Sequence, residues 1–139
     1  KTMKYNNAIA VLVSGGFTFL TDYIKTLLGF DYTHANSLEI SQNNQNNMCL
    51  TGRVLDPILD KQSKAWYLDE YVSKYNLKYE DTMCVGDGAN DIEMIKKANF
   101  GISYNGKKTL DESANIHFKN TNLLGLLYAQ GYSDKQIIL

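Results

Sequence analysis

Apolar positions along this chain fall into short unbroken runs and into stripes of helical period. Ala8-Ile-Ala-Val-Leu-Val13 is continuous, the pattern of a strand covered on both faces of a sheet. Ser14-Gly15-Gly16 ends it. Phe17, Leu20, Ile24, Leu27 and Leu28 then recur at helical spacing, and Gly29 stands where such a helix would stop. Leu38–Ile40 and Cys49–Leu55 read as the two strands of a hairpin. Between them Ser41–Asn47 is polar throughout, a mobile loop with nothing to build a core.

The second half repeats the theme. Asp60 is placed to cap a helix running to about Tyr75, with Ala65, Leu68, Tyr71, Val72 and Tyr75 on its apolar stripe. Trp66 lies beside that stripe and reads as packing rather than binding. Met83–Val85 is a second short buried strand, followed by a helix carrying Ile92, Ile95 and Ala98. Phe100–Tyr104 and Ala114–Phe118 read as two more strands. Thr121 or Asn122 can cap a last helix through Leu123, Leu124, Leu126 and Leu127, and the tail from Gly131 is free to fray. Apart from the hairpin, strand and helix alternate, which predicts an α/β sheet with helices on both faces.

Composition narrows the function classes. With 139 residues and 44% hydrophobic content the chain suits one domain over 1–139 with one core. Fourteen basic against fifteen acidic residues leave a net charge of −1, so no nucleic-acid footprint is present. The longest apolar run, Ala8–Val13, falls far short of the ~20 residues of a membrane span, and no signal peptide precedes it. Cys49 and Cys84 have no metal-type spacing and fit reduced thiols in a cytoplasmic setting. His34 and His117 are isolated from the glycine- and aspartate-bearing motifs and read as packing or surface residues. The ten tyrosines form no base-stacking pattern, and the fourteen asparagines read as a bias without a mechanism. The chain begins at Lys1 rather than Met, which points to a fragment.

Three short segments could carry chemistry. Ser14-Gly15-Gly16 sits at the carboxyl end of a predicted strand, where open α/β sheets bind ligands. Glycine lets backbone N–H groups approach an anion, and Ser14 adds a hydroxyl. An ordinary strand-to-helix turn would look the same. Lys64 lies in the first turn of a predicted helix, where acidic residues are usual; it could neutralise a phosphate, or simply be solvated. Gly86-Asp-Gly-Ala-Asn-Asp-Ile-Glu-Met94 is the most distinctive. Asp87 follows a buried strand, and a carboxylate there suits Mg²⁺, which takes one or two carboxylates together with waters and phosphate oxygens. Asn90 can donate an amide to a phosphate oxygen. Asp91, in the first helical turn, could orient Lys64 or hold a metal-bound water. Taken together, two strand ends and one helix start would form an anion-plus-metal site, the equipment of phosphoryl transfer.

These residues resemble the haloacid dehalogenase-like phosphatases, and within them the bacterial phosphoserine phosphatases. Val13-Ser-Gly-Gly-Phe17 is similar to that family's second motif, Lys64 in Leu59-Asp-Lys-Gln-Ser-Lys-Ala65 to its third, and Gly86-Asp-Gly-Ala-Asn-Asp91 to its fourth. Ala35-Asn-Ser-Leu-Glu-Ile40 and Leu50-Thr-Gly-Arg-Val54 are similar in wording and order. The fourth motif alone would leave P-type ATPase phosphorylation domains open, but their second motif usually carries Thr-Gly-Asp. The resemblance implies a Rossmann-like three-layer parallel sheet with a small hairpin insertion near 38–55. It implies that Ser14 and Gly15 bind phosphate and that Lys64 offsets charge on the phosphoryl group and the nucleophile. It further implies that Asp87 ligates Mg²⁺, that Asn90 touches the substrate phosphate, and that Asp91 supports the metal shell and Lys64. The implied substrate is a small phosphorylated metabolite, phosphoserine foremost.

One departure is large. The family's first motif is Asp-x-Asp at the end of its first strand, where the first aspartate attacks phosphorus and the second is the general acid and base. No Asp-x-Asp occurs in this chain. Asp22 and Asp31 precede the hairpin, and neither ends an apolar strand. The helical cap that reads the substrate is missing too, so the chain looks like an incomplete, C-terminal core domain without its first central strand. Three outcomes are open: a separate N-terminal segment supplies the strand, two copies join edge to edge, or Ala8–Val13 pairs directly with Met83–Val85. The functional expectation is a phosphatase portion inactive by itself. The alternatives are a non-catalytic remnant that folds as an oligomer, and a phosphatase or phosphotransferase for another small phosphorylated metabolite.

Overall fold

A computed structural model describes residues 1–138. The chain divides into two compact units, residues 1–59 and 60–139.

The first unit opens with a single helical turn, α1 (Thr2–Tyr5), followed by β1 (Val11–Phe17) and α2 (Thr18–Leu28). The helix closes where the glycine signal placed it: Gly29 adopts φ 76°, and its N–H donates to the Lys25 carbonyl at 2.8 Å. β2 (Tyr32–Gln42) pairs parallel with β1 and antiparallel with β3 (Met48–Leu55). The expected hairpin is therefore present, but its first strand starts at Tyr32, well before Leu38. Tyr32–Asn36 is mixed in polarity and becomes a strand by pairing with β1. A second correction concerns Ser14-Gly15-Gly16. These residues do not end the strand; they continue it to Phe17, through a register irregularity after Val13. The Ser41–Asn47 loop is closed by Asn43, whose Oδ1 accepts the N–H groups of Gln45 and Asn47 at 2.9 and 3.0 Å. The stripe on α2 has helical spacing, yet Leu20, Leu27 and Leu28 are exposed.

In the second unit, α3 (Lys61–Lys74) precedes β4 (Met83–Gly86), α4 (Ile92–Lys97), β5 (Phe100–Tyr104), the short turn α5 (Lys108–Asp111), β6 (Ile116–Phe118) and α6 (Gly125–Ala129). Asp60 caps α3 as expected: Oδ1 accepts the N–H groups of Gln62 and Ser63, both at 2.9 Å, and the Ser63 hydroxyl accepts the Asp60 N–H at 3.0 Å. The last helix starts at Gly125, after Leu123 and Leu124, and has no side-chain cap; Asn122 Oδ1 instead accepts the Leu124 N–H at 3.0 Å in the turn that precedes it. Strands β4, β5 and β6 form a parallel sheet. Cys84, Ile95, Ala98 and Leu110 pack as its core, with Leu68 and Ile92 against them. Trp66 is not a packing residue: it is 58% exposed, with its ring edge-on to Tyr67.

Strand order in the two sheets is β1-β2-β3 and β4-β5-β6. Direct pairing of Ala8–Val13 with Met83–Val85 is thus not realised; the two strands belong to different sheets, each as an edge strand. Among the described residues no helix is long and apolar enough to cross a membrane.

Candidate functional site

The Gly86–Asp91 segment is organised by one buried carboxylate. Asp91 is 2% exposed, and burial of a charge is tolerated only when its oxygens are paired. Both are. Oδ2 accepts the backbone N–H groups of Asp87 and Gly88 at 3.1 and 3.0 Å, and Oδ1 accepts Lys64 Nζ at 2.5 Å. The chain leaves β4 at Gly86 and turns through a short 3₁₀ segment, Ala89–Asp91, whose last N–H donates to the Gly88 carbonyl at 3.0 Å. Glycine is required at position 86: a Cβ there would stand 2.4 Å from the Asp91 side chain. At position 88 it would stand 2.6 Å from Asn90 Oδ1. Burial first and then the Asp91 charge push the Cys84 thiol up to about 12, which disfavours the reactive thiolate.

Lys64 reaches Asp91 because the Asp60 cap sets the start of α3. The Ser63 hydroxyl, with the two capping amides, holds the Asp60 carboxyl below its usual range. The Lys64 side chain is only 13% exposed; it is not a solvated surface lysine. Asp87 and Asn90 are exposed. Among the described residues the Asp87 carboxylate has no hydrogen-bond or ion-pair partner, a hard oxygen donor left free beside two glycines. This is the donor chemistry that Mg²⁺ accepts, with its remaining positions filled by waters and phosphate oxygens. No group of three or more His, Cys, Asp or Glu side chains forms a ready-made metal cage among the described residues.

A second cluster braces the same loop and was not foreseen. Asp111 accepts the Ser103 hydroxyl at 2.5 Å and Lys119 Nζ at 2.8 Å. Lys119 first and Ser103 next hold its carboxyl below the usual range. Lys119 also donates to the Gly106 carbonyl, and the neighbouring Lys107 N–H points to the Asp87 carbonyl at 3.4 Å. An open groove of about 610 Å³ lies along α3 and α4, with Lys61, Trp66, Asp69, Asn90, Glu93 and Lys97 among its lining residues.

Ser14 and Gly15 lie in the first unit. The Ser14 hydroxyl oxygen accepts the Gly16 N–H at 3.0 Å. The Gly15 carbonyl accepts Nδ2 of Asn36 at 2.8 Å. Asn36, 7% exposed, carried no assigned role in the sequence, because a lone asparagine in a mixed segment offers no periodic or motif signal.

Residues 18–129 match the model of the haloacid dehalogenase-like hydrolases. The phosphoserine phosphatase of Archaeoglobus fulgidus is 39% identical over 91% of this chain and 35% of its own length. That of Idiomarina loihiensis is 40% identical over 84% of this chain and 50% of its own. Among solved structures, a phosphoserine phosphatase carrying a phospho-aspartyl intermediate analogue superposes with a TM-score of 0.80 at 35% identity, over 91% of this chain and 58% of that one. The chain thus spans about a third to three-fifths of the length of these relatives and corresponds to a C-terminal portion of them.

Proposed function

Since the chain belongs to the haloacid dehalogenase-like hydrolases, we propose that it is the phosphate- and metal-binding portion of a phosphomonoesterase acting on phosphoserine. The observation that carries this reading is the division of labour between two aspartates four residues apart. Asp91 is saturated by Lys64 and two amides, whereas Asp87 keeps its carboxylate free.

In this reading Asp87 holds Mg²⁺, which when bound supplies positive charge for the phosphoryl oxygens. Lys64, fixed by Asp91, adds a second positive charge. Asn90 donates its amide to a phosphate oxygen; in the first unit, Ser14 and Gly15 are the groups suited to bind phosphate, through a hydroxyl and a backbone N–H. Charge neutralisation and positioning of this kind are most of what phosphoryl transfer asks of a protein. The nucleophile is not among these 139 residues, so the chain by itself turns nothing over. An Asp-x-Asp strand from an N-terminal segment completes the site by adding to an open sheet edge, that of β1 or of β4. A reducing, cytoplasmic setting suits the two free thiols.

The test is a phosphomonoesterase assay with L-phosphoserine and Mg²⁺. The pure chain is expected to be inactive, and co-expression with an N-terminal segment bearing the Asp-x-Asp strand to restore turnover that Asp87→Ala abolishes. Mg²⁺-dependent turnover by the chain alone, lost on Asp87→Ala, would overturn the predicted inactivity. A folded two-piece complex without turnover would overturn the phosphatase reading. Sedimentation of the pure chain separates edge-to-edge self-association from capture of a missing segment.

A further inference from the structure

The irregularity in β1 raises a question of hydrogen bonding. Between the registered pairs Val13–His34 and Phe17–Asn36, β1 runs through Ser14, Gly15 and Gly16 while β2 has only Ala35. A regular ladder cannot serve the main-chain groups on both sides of such a bulge, so at Gly15, which is exposed, a fixed orientation needs side-chain partners. Asn36 supplies them. Its Nδ2 donates to the Gly15 carbonyl at 2.8 Å, and its Oδ1 accepts the Leu59 N–H at 2.7 Å. The two partners settle which end of the amide is which, since a carbonyl needs the NH₂ and an N–H needs the oxygen. A carboxamide offers a strong donor and a strong acceptor at a fixed spacing in one plane; glutamine would place them a methylene further out.

The Gly15 carbonyl and the Gly16 N–H are two ends of one peptide plane. Among the described residues the Asp56–Pro57 bond is the one cis peptide, so this plane is trans and its two ends point opposite ways. With the carbonyl held by Asn36, the N–H is turned away from it and donates to Ser14 Oγ at 3.0 Å. A hydroxyl oxygen that has accepted in this way keeps its own hydrogen for donation. The relay Asn36, Gly15–Gly16 peptide, Ser14 thus ends in an O–H donor, suited to a ligand that only accepts, such as a phosphate oxygen.

We propose that Asn36 is a positioning residue: by holding the Gly15 carbonyl it orients the Gly15–Gly16 peptide and, through it, presents the Ser14 hydroxyl as a donor to phosphate. The ligand in this statement rests on the function proposed above; the orientation of the peptide does not.

The experiment is a titration of the ¹⁵N-labelled chain with inorganic phosphate, followed at the backbone amides of Ser14, Gly15 and Gly16 and at the Asn36 side-chain NH₂. In the wild type these resonances are expected to move together. Asn36→Asp keeps an acceptor for the Leu59 N–H but loses the donor, so Leu59 stays protected from exchange, the Gly16 amide exchanges faster, and phosphate affinity falls about tenfold, the order expected for one lost hydrogen bond. Asn36→Ala adds no charge; it is expected to weaken phosphate similarly and to deprotect Leu59 as well. Phosphate affinity and Gly16 exchange unchanged in both variants would overturn the positioning role. A wild type blind to phosphate, with Gly16 still deprotected in Asn36→Asp, would defeat the phosphate reading and leave the peptide's orientation assigned. Should neither variant fold, the wild type decides: Ser14–Gly16 resonances that move with phosphate while the Asn36 NH₂ stays still overturn the proposal.

Discussion

The two units of this chain are held by different forces. Every buried apolar residue among those described lies in the second: Ala65, Tyr71, Cys84, Ile95, Ala98, Ile102, Leu110 and Leu127. The residues buried in the first are Thr2, Thr21 and Asn36, all polar. Meanwhile the first exposes Phe19, Leu20, Tyr23, Leu27 and Leu28 along one helix. The second unit is therefore built around an apolar core, which supplies the large, non-directional part of folding free energy. The first is ordered by directional bonds, each worth little net but costly to leave unmade. A site that only needs an amide aimed correctly can live on such a unit. A site that must hold a charged pair out of water, as Lys64 and Asp91 are held, needs the other.

The sharpest way to break this contrast is to truncate one apolar side chain in each unit. Ile102 is fully buried; Ile102→Ala should cost about 2–5 kcal/mol, the usual range for a core cavity. Leu27 is 62% exposed; Leu27→Ala should stay within about 0.5 kcal/mol, as surface changes do. Denaturant unfolding of the two variants measures both. Similar losses would mean that the exposed face of α2 is buried in solution, and the comparison would fail.

How far this was legible from sequence follows the same line. Local chemistry was readable: Gly29 ends α2, Asp60 caps α3, and the Gly86–Asp91 turn stands where its glycines and aspartates put it. Lys64 and Asp91 could each be singled out; the residues alone left their pairing as one of two uses of Asp91, while the family resemblance implied it, and Lys64 Nζ does meet Asp91 Oδ1. What depended on non-local pairing was lost. Tyr32–Asn36 has no strand pattern and is made a strand by β1. Ser14-Gly15-Gly16 looked like a turn, because glycine usually marks one; here it allows a bulge. Leu20, Leu27 and Leu28 had helical period without burial, since period says nothing about what covers the face. The asparagines do have a use: among the described residues, all five non-glycine residues at positive φ are asparagines, Asn7, Asn46, Asn76, Asn105 and Asn120, the side chain that best tolerates that conformation.

A smaller effect separates the units by their thiols, one in each. Cys49 is exposed and Cys84 buried, with its thiol pushed up to about 12. Under native conditions a thiol reagent should modify Cys49 within its ordinary reaction time and leave Cys84 untouched, because the thiolate is the nucleophile. Cys84 should become reactive only with the opening of the β4–β5 core, so its labelling in rising denaturant should follow the unfolding measured for Ile102→Ala. Mass spectrometry of quenched samples reads both sites. Rapid native labelling of Cys84 would show that the core around Asp91 opens locally, and the second unit could not then be the rigid one.

The smallest expected effect is on acid stability, and it tests the first unit's dependence on polar bonds. The Asp31 carboxylate binds Lys4 and accepts the Ala10 N–H at 2.8 Å, and these two contacts, Lys4 first, hold its carboxyl below the usual range. A carboxyl lowered on folding stabilises the protein above its unfolded pKa of about 3.9, and that stabilisation is lost as pH falls through the folded value. Asp111 in the second unit follows the same sign. Both groups are partly exposed, so salt screening keeps the contribution small. Stability should be insensitive to these groups above about pH 5 and decline below about pH 4. Asp31→Asn should flatten that decline, while lowering stability near neutrality by the lost pair with Lys4. With so few apolar contacts to compensate, the first unit should show the change more clearly than the second, read by amide exchange of Tyr32 and Thr33 against Ile102 and Ser103. An equal response in both sheets to Asp31→Asn would mean that the chain unfolds as one cooperative block, and the contrast between a bonded and a packed unit would describe how they are built without describing how they come apart.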